Sequence, residues 1–405
     1  MQDNAFPRRD FIKGAMVAGA GLSALSAVPK AFAQEPGQAP ALDGKVPRRK
    51  LGQTGLDVPI LLMGCCQTLD AKYDKRLHRA YQLGIEHLDT AQMYADGQSH
   101  KTIAPFVKQI GDRKKLVIGS KVHFTEEEAA PEKFVTNIDS SLAELETDYL
   151  DIFYMHMTKN ARMLEPDLIK MGEDLKKKNK IRFFGISTHH GNVPEIMDKA
   201  AALGGGIDVI MFRYNYREYG NAELNRAIDA CKKAGIGLIA MKTLGSIPDD
   251  AEEIVPWTSK NFTLIQAKLK AVWADERIDS IASQMGNVQH VQENAAAAMS
   301  SIQLSMDEFM QLNRLAAHTA PLYCKGCSHR CETCVDGPLR IADTLRYLMY
   351  YECYGQQETA RAMYGALLPE EREFDAAKIR SAAAACPQGI DLAARLERAR
   401  EVLTA

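Results

Sequence analysis

From Arg48 onward the chain alternates between two patterns, and this alternation limits its possible folds more than any other feature. "VPILLMG", "IEHLDTA", "LVIGSKV", "LDIFYMH", "RFFGIST", "DVIMFRY", "GIGLIAMK" and "IDSIASQM" are short, nearly continuous apolar runs of strand length. A strand that is apolar on both faces belongs in a parallel sheet covered on both sides. Helical patterns lie between the runs. "DKRLHRAYQLG" places Leu77, Ala80 and Tyr81 on one face and stops at Gly84. "PEKFVTNIDSSLAELE" and "NAELNRAIDACKKAG" read the same way, the second stopping at Gly235. Eight such alternations predict an α/β fold, a (β/α)8 TIM barrel over roughly 48–300. An open doubly wound sheet is the alternative architecture. "SMDEFMQLNRLAAH" predicts an amphipathic helix that closes the barrel, so the barrel domain is expected over 48–318.

The pattern changes on both sides of that array. After it come Pro321, a cysteine-dense loop "YCKGCSHRCETCVDG" and four helical stretches, which predict a helical module over 319–405. The Tyr, Leu and Met residues of those stretches read as packing surface. At the other end, Arg8-Arg9 precede Asp10-Phe11-Ile12-Lys13, an apolar stretch to about Val28, and Ala31-Phe32-Ala33. That order resembles a twin-arginine export signal with a small-residue cleavage site. The resemblance implies a signal peptide over 1–33, a linker over 34–47, export by the twin-arginine machinery and a periplasmic mature protein. Net charge is −2, so no strong field recruits nucleic acid or anionic lipid, and no apolar run is long enough for a membrane span in the mature chain.

In a barrel of this kind, catalytic groups sit where the strands end. Those ends supply Asp89, Lys121 and His156, with Tyr94 just after Asp89. "HLDTAQMYADG", "VIGSKV" and "LDIFYMH" resemble the catalytic regions of the aldo-keto reductase family. "RRKLGQTGLDVPILLMG" resembles its opening hairpin and first strand, "FGIST" its fifth strand, and "VQENAAAA" its last cofactor-binding helix. The resemblance implies hydride transfer between a nicotinamide cofactor, NAD(P), and a small carbonyl or alcohol substrate. Tyr94 would be the general acid or base. Lys121 would lower its pKa from about 10, Asp89 would hold Lys121, and His156 would orient the carbonyl oxygen.

The same resemblance assigns cofactor contacts to Gly64, Cys65, Ser187, Met211, Met241, Gln284, Met285, Gly286, Asn287, His290, Glu293 and Asn294. Several depart from the family. Gln284 and His290 stand where cations often grip the adenosine 2′-phosphate, which removes the main support for preferring NADP. Met211 replaces a Gln, and Met241 an aromatic ring. Cys65 and Cys66 read as small packing residues, Cys231 and Cys353 as buried thiols within helices, and His189-His190 as lining of the substrate or cofactor space.

The crowded thiols Cys324, Cys327, Cys331 and Cys334 leave three readings. Disulfides suit an oxidising compartment, but close neighbours strain their geometry. Structural zinc suits thiolate clusters. The third reading rests on Cys386-Pro387, because a remote Cys-Pro beside a Cys-x2-Cys loop resembles a bacterial ferredoxin. That resemblance implies an iron–sulfur module, a 4Fe-4S cluster, on Cys324, Cys327, Cys331 and Cys386. Cys334 would be left over from a lost second cluster. The expected protein is an exported oxidoreductase with a possible redox partner. A nicotinamide-binding sensor without turnover, or an electron-carrier barrel, is the alternative.

Overall fold

In the computed structural model, residues 42, 44–123, 131–159, 161–248 and 255–404 are described. The expected export signal and most of the expected linker lie outside the described residues. The described chain opens with an antiparallel hairpin, β1 (Arg48–Lys50) and β2 (Asp57–Pro59), pairing Arg48 with Pro59.

Eight strands follow, each succeeded by a helix. They are β3 (Leu61–Gly64), α1 (Lys75–Gln82), β4 (His87–Asp89), α2 (Ser99–Ile110), β5 (Val117–His123), α3 (Pro131–Leu145), β6 (Leu150–His156) and α4 (Pro166–Lys177). The second half runs β7 (Ile181–Thr188), α5 (Val193–Ala202), β8 (Val209–Arg213), α6 (Ala222–Lys233), β9 (Gly237–Met241), α7 (Leu264–Trp273), β10 (Ser280–Gln284) and α8 (Val288–Met299). The strands are parallel and close in the order β10-β3-β4-β5-β6-β7-β8-β9. The predicted barrel is therefore the observed one, and the open sheet is excluded.

The helix boundaries follow local chemistry. Asp74 caps α1 by accepting from the N–H groups of Arg76 and Leu77 at 2.9 and 3.1 Å, and Gly84 ends the turn beyond it at φ 78°. Asn221 caps α6, and Gly235 leaves it at φ 78°.

The core has two layers. Side chains of the strands' outer faces pack against the helices, Phe153 and Phe184 among them. Inside the barrel Leu62, Ile152, Tyr154, Val209, Met211 and Ile239 pack together, and Leu51, Leu56 and Val58 of the hairpin join them at the N-terminal end. The hairpin approaches so closely that a Cβ on Gly52, at φ 50°, would lie 2.4 Å from the Gly235 carbonyl oxygen. Tyr154 fills the barrel beside Gly119 and Gly185, where a Cβ would meet its ring at 3.1 and 2.9 Å.

Beyond the barrel, α9 (Met306–His318) starts with a reciprocal Ser305–Glu308 capping box. The rest is helical: α10 (Ser328–Cys331), α11 (Ile341–Cys353), α12 (Gln357–Gly365), α13 (Pro369–Arg372), α14 (Ala376–Ala384) and α15 (Leu392–Leu403). This region has its own small cores, one joining Ile341, Leu345, Ile379, Ile390 and Leu392, another joining Tyr347, Leu348, Tyr364 and Leu403. Ile247, in the loop after β9, packs on Tyr323, with Leu322 and Met349 beside them, so the module seats on the C-terminal mouth of the barrel. Among the described residues no helix is long and apolar enough to cross a membrane.

Candidate active site

Parallel register carries the ends of β4, β5 and β6 to one side of the mouth. Asp89 lies level with Gly64 and Gly119, Lys121 with Tyr154, and His156 with Ser187. Lys121 Nζ donates to Asp89 Oδ1 at 2.5 Å and to the Thr90 carbonyl at 2.9 Å, with the ammonium 1% exposed. The same ammonium lies 4.9 Å from the centre of the Tyr94 ring. The Tyr94 and His156 rings meet edge to face at 5.9 Å. All four predicted catalytic side chains therefore converge.

The electrostatics differ from expectation on one point. The Tyr94 phenol is not lowered but pushed well above its ordinary value, by burial first and then by Asp89. Lys121 is bound to Asp89 at 2.5 Å, so its charge is largely compensated where the phenol feels it. Burial likewise raises the Asp89 carboxyl, with the Lys121 ammonium pulling against it. Backbone strain gathers beside the site. Ala95 and Asp96 after Tyr94, Met157 after His156 and Lys242 after Met241 all have φ between 52° and 59°. Non-glycine residues in that region cost of order 1–3 kcal/mol each and cluster where function fixes the backbone.

The expected cofactor residues divide into three groups. Gly64 sits against the Ser283–Gln284 backbone, with Cys65 fully buried behind it. Ser187 and Met211 are buried, Met211 within the inner core, and Met241 packs beside it. Gln284, Gly286, Asn287 and His290 form an exposed rim around buried Met285. On that rim Asn287 caps α8 by accepting from the His290 N–H at 2.8 Å, Asn294 donates to Ser283 Oγ at 3.1 Å, and Glu293 accepts from Gln289 at 2.7 Å. Arg76 also reaches the rim, donating to the Gly286 carbonyl at 3.3 Å while held by Asp74 at 2.6 Å. Sequence reasoning missed this cation because only the barrel's closure brings α1 beside β10.

The loop after β7 meets the cysteine loop. Gly191 N–H donates to the Gly326 carbonyl at 2.8 Å, and a Cβ on Gly191 would fall 2.3 Å from Cys327 Cα. His189 and His190 stack at 5.4 Å beneath it. Both are held neutral by burial, then by Arg346, with His190 lowered to about 3.

Cys324, Cys327, Cys331 and Cys386 line one small cavity with Pro387 and Ile341. Cys334 does not line it: it is exposed, its thiol turned to the Arg330 carbonyl at 3.1 Å. All nine cysteines are free thiols, so the disulfide alternative is not what the structure holds. Burial pushes Cys324 up to about 11 and Cys331 to about 12, and the neighbouring thiols add to the rise. Among the described residues no three His, Cys, Asp or Glu side chains gather closely enough to hold a single metal ion. Two sulfurs on one tetrahedral zinc stand roughly 3.8 Å apart, given Zn–S of about 2.3 Å. A 4Fe-4S cluster would take one thiolate on each iron. Cys231 is buried as expected, whereas Cys353 is only half-buried and lines a second cavity under the module.

Residues 67–247 match the sequence model of the Aldo/keto reductase family. L-galactose dehydrogenase of Arabidopsis thaliana is 24% identical over 297 residues, covering 65% of this chain and 92% of that protein. Among solved structures, the aldo-keto reductase AKR11C1 from Bacillus halodurans in its holo form is 21% identical, covers 67% of this chain and 96% of its own, and superposes with a TM-score of 0.55. An aldo-keto reductase from Klebsiella pneumoniae in complex with NADPH is 22% identical, covers 68% and 96%, and has a TM-score of 0.51. At these identities the structural likeness is one of fold. The helical module lies beyond the residues that match the family model.

Proposed function

We propose that the chain, whose residues 67–247 match the Aldo/keto reductase family model, is an oxidoreductase of that type that interconverts a small carbonyl compound and its alcohol with Tyr94 as the proton-transferring group. The observation that carries the reading is the convergence of Asp89, Lys121, Tyr94 and His156 at one end of the barrel. A bound nicotinamide supplies or accepts the hydride. The raised phenol of Tyr94 stays protonated at neutral pH, the form from which it gives a proton to a developing alkoxide. His156, edge-on to Tyr94, fixes where the carbonyl oxygen sits. Lys121 and Asp89 form a buried pair that fixes the Lys121 ammonium 4.9 Å from the centre of the Tyr94 ring.

The cofactor is NADP(H) or NAD(H), held along Gly64, Ser187 and the rim from Gln284 to Asn294. The NADPH complex of the Klebsiella pneumoniae protein supports NADP(H). Arg76, a cation that reaches this rim, is already paired with Asp74, which argues for a weak preference between the two. Cys324, Cys327, Cys331 and Cys386 would hold an iron–sulfur cluster, which would supply one-electron transfer to a redox partner. The shared thiol-lined cavity supports that reading. The Arg8-Arg9 motif supports export to the periplasm.

The test is Tyr94→Phe. Nicotinamide affinity stays within about twofold of wild type, while the rate of carbonyl reduction falls by about two to four orders of magnitude. Near-normal turnover by the variant would remove Tyr94 from the chemistry.

A further inference from the structure

The C-terminal module encloses a second cavity against the barrel, and its walls are unusually rich in cations. Arg213 and Lys242 reach it from the ends of β8 and β9, and Arg346 and Arg395 from α11 and α15. Among the described residues, the only carboxylate lining it is Asp343. Glu332 lies beside this wall, accepting from the Ala342 N–H at 2.8 Å, and three further carboxylates each serve two cations. Asp343 pairs with Arg340 and Arg346, Glu218 with Arg213 and Lys325, and Glu352 with Arg395 and Arg398. Lys242 lies 4.5 Å over the rings of both Tyr350 and Tyr354. Positive charge is therefore in excess around an enclosed space.

The buried nitrogens in this wall are also short of acceptors. His189 Nε2, His190 Nε2, Arg213 Nε and Arg346 Nε have no hydrogen-bond partner among the described residues, although His190 is only 8% exposed. Native proteins rarely leave such groups unmet, and a ligand is one way to meet them. The rest of the lining is apolar, including Leu322, Leu345, Met349 and Ile390. An apolar wall with a few convergent cations suits an organic acid better than an inorganic ion. Tyr350 links this space to the catalytic mouth: Lys242 covers its ring, and its phenol acts electrostatically on both Tyr94 and Arg346.

We propose that this cavity is the subsite for a carboxylate carried by the substrate, with Arg346, Arg213 and Lys242 facing the anion and His189 and His190 donating to it. The proposal rests on the carbonyl-reductase reading above and narrows its substrate class to oxo-acids or hydroxy-acids with a short apolar body. The guanidinium of Arg346 can donate two parallel bonds to a carboxylate, which fixes the acid end while the carbonyl end reaches Tyr94.

The test uses the full-length protein saturated with NADPH and titrated calorimetrically with succinate, with succinamide as the neutral control and inorganic phosphate as the competing anion. Succinate binds, succinamide does not, and Arg346→Gln weakens succinate by about tenfold or more. Arg395→Gln, on the outer wall, gives a smaller loss in the same direction and serves if Arg346→Gln does not fold. With 4-oxobutanoate as substrate, Arg346→Gln raises KM more than it lowers kcat. With the neutral 4-oxobutanamide the rise in KM is smaller than with 4-oxobutanoate. Equal succinate affinity in wild type and both variants overturns the proposal. So does phosphate binding that NADPH abolishes, because the cavity would then serve the cofactor's phosphates. Tyr94→Phe separates the two readings: succinate binding that survives alongside undiminished turnover would leave the subsite standing and sink the catalytic role of Tyr94.

Discussion

At the scale of single residues, two titrations carry most of the chemistry. The Tyr94 phenol is raised, by burial and then Asp89, so its acid form persists through and beyond neutral pH. Carbonyl reduction should therefore hold its rate from pH 7 to about 10, near the ordinary phenol value, and fall only above it. A steady-state pH profile that drops tenfold between pH 7 and 8 would place the proton donor elsewhere. The second titration is Asp343. Burial pushes its carboxyl up, but Arg346 and Arg340 outweigh that and hold it at about 2. The folded value lies below the unfolded value of about 3.9. The stabilisation is therefore complete above about pH 4 and is lost as pH falls through about 2. Chemical denaturation of wild type and Asp343→Asn should show a stability gap that narrows by about 2–3 kcal/mol between pH 5 and pH 2. A gap that stays constant would mean the two guanidiniums do not act on this carboxylate.

At the scale of elements, the site depends on the contact between the loop after β7 and the cysteine loop. Gly191 has no room for a side chain, because the obstructing atoms are the Cα and backbone nitrogen of Cys327, at 2.3 and 2.5 Å. Backbone cannot rotate away as a side-chain tip can. Gly191→Ala should therefore separate the two loops, at a cost of about 1–3 kcal/mol for overpacking, and leave the barrel's far-ultraviolet dichroism unchanged. Faster labelling of Cys324 and Cys327 by a thiol reagent under native conditions is the expected readout, and wild-type labelling would contradict the contact. Most of the elements were legible in advance. Asp74 and Asn221 are cap residues, and Gly84 and Gly235 stop the helices after them, because those signals act within a few residues. The module's role was not legible. α11 reads as an ordinary amphipathic helix, and nothing local shows that Arg346 and Tyr350 face a barrel mouth more than a hundred residues away in the chain.

At the scale of the whole molecule, three parts are combined: a barrel, a thiol-bearing module and an N-terminal segment. The module's metal chemistry is tested by a pair of variants purified without oxygen. Cys386→Ser should lose the broad visible absorbance and most of its iron, while Cys334→Ser, whose exposed thiol lies outside the shared cavity, should keep both. Iron kept by the Cys386 variant and lost by the Cys334 variant would mean that the four clustered thiols close the site alone. Export is tested by Arg8→Lys with Arg9→Lys, which should leave an uncleaved precursor in the cytoplasm. A processed, periplasmic double variant would refute the signal reading.

The order of apolar runs and helix stops was enough to predict eight parallel strands each followed by a helix, because side-chain periodicity and turn chemistry act locally and repeat eight times, whereas closure into a barrel was decided by the tertiary structure. The placement of Asp89, Lys121 and His156 at strand ends followed from the same pattern. Tertiary structure alone decided the rest. It turned the expected lowering of Tyr94 into a rise, because that depends on how deeply the ring is buried and on Asp89 compensating Lys121. It separated Cys334 from the other four thiols, a matter of which face of a short turn looks inward. It also gathered Arg213, Lys242, Arg346 and Arg395 around one cavity, since charges from four separate elements share a site only after the chain has closed on itself.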